Sequence, residues 1–207
     1  MGAVMADALF RLLADRYPTP RMGDRPMLAA MWRLIFYTLR PREPFVLRTR
    51  DYRLYAHPRK GTLTRALVRR GYWERLETDI FRELVPPGGL VIDAGANFGH
   101  YALTAANIVG PDGMVIAFEP HPAAFKLLAA NCRLLPDANL VAVAAGLGAT
   151  DEEMDIHTDS ANPGGHSFYS WNLRGSEGGT HRVPVRALDS YLQEHVAGRS
   201  VDVIKID

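Results

Sequence analysis

The chain has 207 residues and a formal charge of +1, with 47% hydrophobic and 23% charged residues. That balance excludes general disorder, a collagen-like rod and a coiled coil. The length suits one domain with an appendage and is enough to bury a sizeable core.

The near-zero net charge hides an asymmetry. Residues 1–88 carry 17 Lys+Arg against 9 Asp+Glu, whereas residues 89–207 carry 7 against 14. Between Arg40 and Arg75, 11 basic residues face 3 acidic ones. Such a stretch attracts an anionic substrate, a nucleic acid or a membrane surface. The plainer reading is a solvated arginine-rich face. The single cysteine, Cys132, excludes an intramolecular disulfide framework and a Cys-rich zinc site, and on its apolar stretch it reads as filler.

In chain order, residues 7–17 read as a short helix ended by Pro18 and Pro20. The opening residues lack the basic start of a secretory signal and, with Ala6, the hydroxyl residue of a myristoylation site, so a cytoplasmic protein is expected. Met27 to Leu39 is apolar, with Arg33 inside it. At 13 residues it falls short of the roughly 20 a spanning helix needs. It reads as a packed helix or, as an alternative, one lying on a membrane surface. Alternating residues at 45–47 and 52–55 predict a hairpin around Arg50-Asp51, followed by helices over 62–69 and 74–84. Pro86-Pro87-Gly88-Gly89 is a hard break. It divides an N-terminal helical and hairpin extension, 1–85, from a core, 86–207.

After the break, apolar runs at 90–92, 114–118 and 140–145 alternate with helical stretches at 100–109 and 123–135. This β-α-β-α-β rhythm predicts an α/β, Rossmann-like fold, a mainly parallel sheet with helices on both faces. Alternation in 151–187 around a loop at 162–165 suggests an antiparallel insertion with strands at 166–170 and 181–188. A short helix at 190–196 leads to a fourth core strand, 201–207.

The loop Asp93-Ala94-Gly95-Ala96-Asn97-Phe98-Gly99 lies between a strand and a helix. There glycines let backbone approach a ligand, and helix N–H groups face it. Asn97 replaces the middle glycine of the dinucleotide fingerprint, which argues against a pyrophosphate on the loop. Asp93 suits an amine better than a phosphate. Glu119, at the end of the second strand, is placed to accept hydrogen bonds from ribose hydroxyls. A nucleoside with a cationic amino-acid tail fits both acids, and S-adenosylmethionine is such a ligand.

Val91 to Gly99 resembles motif I of the FkbM-type methyltransferases, class I enzymes that use S-adenosylmethionine. Gly71-Tyr72-Trp73-Glu74, Phe118-Glu119-Pro120-His121-Pro122, Leu127 to Asn131, Asn162 to Ser167, Leu188 to Leu192 and Ile204-Lys205-Ile206-Asp207 resemble further motifs of that family, in order. The resemblance implies a seven-stranded sheet in the order 3-2-1-4-5-7-6. It implies O-methylation of a hydroxyl on a sugar or other secondary metabolite, hence a small-molecule or glycan acceptor and no nucleic acid. It implies that Gly95, Asn97 and Gly99 line the cofactor, with Asp93 near its amino group, Glu119 on the ribose and Glu74 helping to close the site. The family continues past the fourth strand where this sequence stops, so the expectation is a fragment with strands 3-2-1-4. Its strand-4 edge would be apolar and open to self-association.

A hydroxyl is a poor nucleophile, and a general base helps. Asp207 is the first candidate for it and His100 the second, with His121 and His166 in plausible loops. No metal is expected. Trp73 and Trp171 are packing residues or flank the pocket. The alternatives to a methyltransferase are a nicotinamide-dependent oxidoreductase and a non-catalytic binding module with a basic N-terminal surface.

Overall fold

The computed structural model describes residues 2–16, 18–19, 25–39, 43–57, 62–159, 166–170, 177–196 and 198–207. The chain divides into two compact units, Met1–Asp79 and Ile80–Asp207.

The N-terminal unit holds helices α1 (Gly2–Arg16) and α2 (Pro26–Leu39), strands β1 (Phe45–Arg48) and β2 (Arg53–Ala56), and helix α3 (Thr62–Arg70). Helix α4 (Arg75–Leu84) starts in this unit. The first helix starts before residue 7, because Ala3, Ala6 and Ala8 are strong helix formers. Phe10 organises the core. It stacks on Trp32 at 5.8 Å and meets Phe45 edge-on at 5.0 Å. The two strands form an antiparallel hairpin with Leu47 opposite Leu54. Thr49 closes its turn, its N–H donating to the Tyr52 carbonyl at 2.8 Å.

The C-terminal unit is built on β3 (Leu90–Ala94), α5 (His100–Val109), β4 (Met114–Phe118), α6 (Pro122–Cys132), β5 (Leu140–Val143), α7 (Leu188–His195) and, numbered after three insertion strands, β9 (Val203–Ile206). The sheet order is β5-β4-β3-β9, and all three pairings are parallel. This is the 3-2-1-4 order of a Rossmann-like α/β sheet. Every residue of β3 is buried, which is why Leu90-Val91-Ile92 is a continuous apolar run rather than an alternating one. Val91, Val115 and Ala117 pack on one face with Ala102 and Ala105 of α5 and Leu128 of α6. Leu90, Ile92, Ile116 and Phe118 pack on the other with Tyr191 of α7.

Asp202 clamps the start of β9. Its carboxylate accepts the Leu90 N–H at 2.8 Å, and its own N–H donates to the Leu90 carbonyl at 2.9 Å. Among the described residues β9 pairs with β3 alone, and Ile206 is 76% exposed.

Between β5 and α7 lie β6 (Gly146–Gly148), β7 (Glu152–Asp159) and β8 (Glu177–Ala187), in the order β6-β8-β7. The last two are antiparallel, but β6 runs parallel to β8, a pairing the sequence did not suggest. A side chain at Gly146 would strike the Phe168 ring at 2.5 Å. That glycine is therefore needed for close packing inside a strand, where it resembles a turn residue in sequence. Residues 166–170 do not form the expected strand; they contribute one bridge, Ser167 to His157. The loop expected at 162–165, and Trp171, lie outside the described residues. Helix α6 stops at Cys132 rather than near 135, because the Leu134 and Leu135 N–H groups turn back to the Asn131 and Cys132 carbonyls.

Candidate active site

The loop from Gly95 to Gly99 leaves the carboxyl end of β3 and folds over the end of β4. The Gly95 and Ala96 N–H groups both donate to the Phe118 carbonyl, at 3.0 and 2.9 Å. Three of its residues are left-handed: Gly95 (φ 79°), Asn97 (φ 51°) and Gly99 (φ 94°). Asn is among the few residues with a side chain that visit this region readily, which accounts for an amide where a glycine is usual. A Cβ on Gly95 would come within 3.2 Å of the Asp207 Cβ, and one on Gly99 within 2.9 Å of the Leu128 side chain. Asn131 holds the loop from behind. Buried on α6, it donates to the Phe98 carbonyl at 2.6 Å.

Glu119 is buried and ties the loop to the next helix. One carboxylate oxygen accepts the Asn97 N–H at 2.7 Å and the other accepts the His121 N–H at 2.8 Å. Burial raises its pKa; the two backbone donors oppose this, and Asp207 adds to it. Each oxygen keeps a second lone pair for a further donor.

Asp93 is fully buried, and neither of its oxygens has a hydrogen-bond partner among the described residues. Burial pushes its pKa up to about 7, although the Lys205 ammonium and the Ala102 N–H at the head of α5 pull it down. That N–H acts at a distance, without hydrogen-bonding geometry. Asp207 and Glu119 push the pKa higher still, so the three carboxylates share one region. The Asn97 side-chain oxygen is likewise buried without a partner.

Lys205 is the cation among these acids. Parallel pairing sets it opposite Asp93. Its ammonium lies 2.9 Å from the Asp207 carboxylate and 4.6 Å from the Tyr101 ring centre. The sequence contained Lys205 in a recognisable motif but gave it no role, because its partners are brought to it only by the β3–β9 register. Replacing Lys205 with Met is expected to cost on the order of 1 kcal/mol more stability at about pH 8 than at about pH 6, because Asp93 draws on the cation only when ionised. Urea titrations at the two pH values measure this, and Lys205→Arg recovers it. An equal loss at both would show that Lys205 acts through packing or its Asp207 ion pair and not through the Asp93 charge.

His100 is buried against Tyr101, and burial, Lys205 and Arg82 lower its pKa to about 3. An imidazole held that low is a weak proton acceptor near neutral pH. Asp207 has a side chain 63% exposed, and its N–H donates to the Ala94 carbonyl at 3.0 Å, which places it beside Gly95. His121 caps α6, its Nδ1 accepting the Ala124 N–H at 3.3 Å, and it stacks on His166 at 3.8 Å. Burial and the neighbouring His166 and His181 lower its pKa to about 4. Glu74 belongs to the N-terminal unit, where its carbonyl accepts the Thr78 N–H at the start of α4. The structure thus brings Asp93, Gly95, Asn97, Gly99, Glu119 and Asp207 together at the carboxyl ends of β3, β4 and β9, with His100 buried at the head of α5.

This chain is similar to several known proteins. It is 26% identical over 137 residues to Methyltransferase 1 of Beauveria bassiana (strain ARSEF 2860), covering 59% of this chain and 55% of the relative. The chain therefore spans about half the length of that curated relative. Among solved structures, TYW2 of P. horikoshii in complex with MeSAdo is 25% identical with a TM-score of 0.40, over 50% of this chain and 36% of that one. A transferase of Pyrococcus horikoshii is 18% identical with a TM-score of 0.40, over 66% and 62%. The family model for the methyltransferase FkbM domain matches residues 93–207, over half of the sequence and every candidate position above except Glu74. The chain belongs to the FkbM methyltransferase domain family.

Proposed function

We propose that this chain binds S-adenosylmethionine over the Gly95–Gly99 loop and directs its methyl group to a hydroxyl oxygen of a sugar or other small metabolite. The observation that carries the reading is the excess of acceptors. Asp93 offers two buried oxygens without partners, Asn97 a third, and Glu119 two oxygens with lone pairs to spare. Such a site needs a ligand rich in donors and positive charge, and it repels a pyrophosphate. An ammonium fits Asp93, and a pair of ribose hydroxyls fits Glu119. The residues present therefore fit the cofactor that the family implies.

When bound, the cofactor supplies an electrophilic methyl group on a sulfonium. Asp207 stands beside Gly95 to orient the acceptor hydroxyl and take its proton, and Lys205 holds that carboxylate in place. The left-handed Gly95 and Gly99 set the course of the loop, and a Cβ on either would press on Asp207 or on Leu128.

The test is calorimetric titration of the chain with S-adenosylhomocysteine, with NAD as control. The expected result is binding of the former alone, weakened roughly 10- to 100-fold by Glu119→Ala. Binding of NAD instead, or affinity unchanged in Glu119→Ala, would overturn the reading. Labelled methyl transfer to a panel of monosaccharides then tests the acceptor class, with loss of turnover expected in Asp207→Asn.

A further inference from the structure

We propose that the N-terminal unit rests on an anionic membrane surface through the outer face of α2. This helix buries Ala29, Trp32 and Phe36, one stripe at helical spacing, against its own unit. The opposite stripe is apolar too: Met27 is 84% exposed, Met31 57% and Leu34 66%. Tyr37, on the flank, is also exposed. A helix apolar on both faces is a helix whose second face has a partner.

Charge indicates which partner. Helices α2 and α3 together contain Arg33, Arg65, Arg69 and Arg70 and no acidic residue. The two are joined at one end, where the Arg33 guanidinium donates to the Arg69 carbonyl at 3.4 Å. On α1, Leu9 and Leu12 are exposed at helical spacing, and exposed Arg16 follows one turn later. Over the whole unit, residues 1–79, 16 basic residues oppose 8 acidic ones. Exposed methionines and leucines in a unit this rich in arginine suit the boundary between acyl chains and anionic headgroups, where arginine stems lie along apolar surface and guanidinium groups reach phosphates. A nucleic acid would use the arginines and leave the aliphatic stripe exposed. No helix among the described residues is long and apolar enough to cross a membrane, so the contact is interfacial.

The experiment is co-sedimentation of the full chain with vesicles of phosphatidylcholine containing about one-third phosphatidylserine, and with vesicles of phosphatidylcholine alone. Binding to the anionic vesicles is expected, and it weakens in high salt. Met31→Glu and Leu34→Glu each weaken it at least roughly tenfold, because a carboxylate opposes both the apolar and the anionic parts of the contact. Arg69→Gln and Arg70→Gln each weaken it about fivefold. S-adenosylhomocysteine titration and an unfolding curve on the same variants establish that they remain folded. Three results would overturn the proposal. One is no sedimentation of the folded chain with anionic vesicles. Another is sedimentation that Met31→Glu and Leu34→Glu leave intact. The third is a dimer in solution that Leu34→Glu converts to monomer, which would assign the face to a second copy.

Discussion

Replacing Asp93 with Asn is expected to lower affinity for S-adenosylhomocysteine on the order of 100-fold at about pH 8, and to make the chain more resistant to urea at the same pH. Both effects follow from one buried carboxylate. In the unfolded chain Asp93 titrates near 3.8; in the folded chain burial moves it to about 7, despite the Lys205 ammonium. Between those values the folded state holds a proton that the unfolded state has lost. Stability contributed by this residue therefore falls as pH rises through that window, and the cost of its charge is fully present above about 7. Asparagine removes that cost but leaves an amide that still lacks hydrogen-bond partners. The net gain is about 2 kcal/mol at about pH 8 and vanishes towards about pH 5.

Binding has the opposite dependence. The neutral acid offers an ammonium little, so the wild-type affinity is expected to rise about tenfold per pH unit up to about 7 and then level off. In Asp93→Asn the profile is flat. Titration calorimetry across this range, paired with urea curves, checks both halves. An affinity independent of pH in the wild type would show that Asp93 does not hold the ammonium. A variant less stable than wild type at about pH 8 would show that the carboxylate is better compensated than its missing partners suggest.

The part of the site that was legible in the sequence is the part made by neighbouring residues. Leu90 to Gly99 form a buried strand and a left-handed loop, and Glu119 closes the next strand. Apolar runs and glycine spacing write that arrangement directly, since each local choice agrees with the parallel sheet. The contributions that were not legible depend on distant register. Lys205 faces Asp93 only because β9 pairs in parallel with β3. Asn131 supports Phe98 across two elements; it closes a recognisable motif, but an amide in an Ala- and Leu-rich helix does not announce which distant carbonyl it holds. The sequence marks His100 as a candidate base by its position after the loop. The fold buries it beside Tyr101, Lys205 and Arg82, and burial reverses what a histidine near neutral pH would otherwise do. In β6 the glycines resemble a turn, and the Phe168 ring against Gly146 and the Val185 side chain against Gly148 explain them.

Replacing Gly99 with Ala is expected to cost about 3 kcal/mol of stability, more than any other single methyl addition along the loop's framework. Two costs combine there. The residue is left-handed at φ 94°, which costs a side chain about 1 kcal/mol. The new Cβ would also meet the end of the Leu128 side chain at 2.9 Å, and Leu128 is fully buried in the close-packed cluster with α5 and the sheet. Displacing it adds about 2 kcal/mol. Gly88 separates the two costs: at φ 76°, with nothing within 4 Å of a new Cβ, Gly88→Ala is expected to lose only about 1 kcal/mol. Urea unfolding of both variants measures the difference. Leu128→Ala makes room, so the double variant with Gly99→Ala is expected to be more stable than the two separate losses predict, by about 1 kcal/mol or more. Strict additivity would place the cost in the backbone alone. The same contact explains why the helix head cannot retreat from the loop. The Gly99 carbonyl accepts the Leu103 N–H at 2.9 Å and its N–H donates to Ala96 at 2.8 Å, so any shift that relieves Leu128 moves the first turn of α5, and with it the Ala102 N–H that faces Asp93. Gly99→Ala should therefore also weaken S-adenosylhomocysteine binding in the fraction that remains folded, although its Cβ lies against the core and not against the ligand.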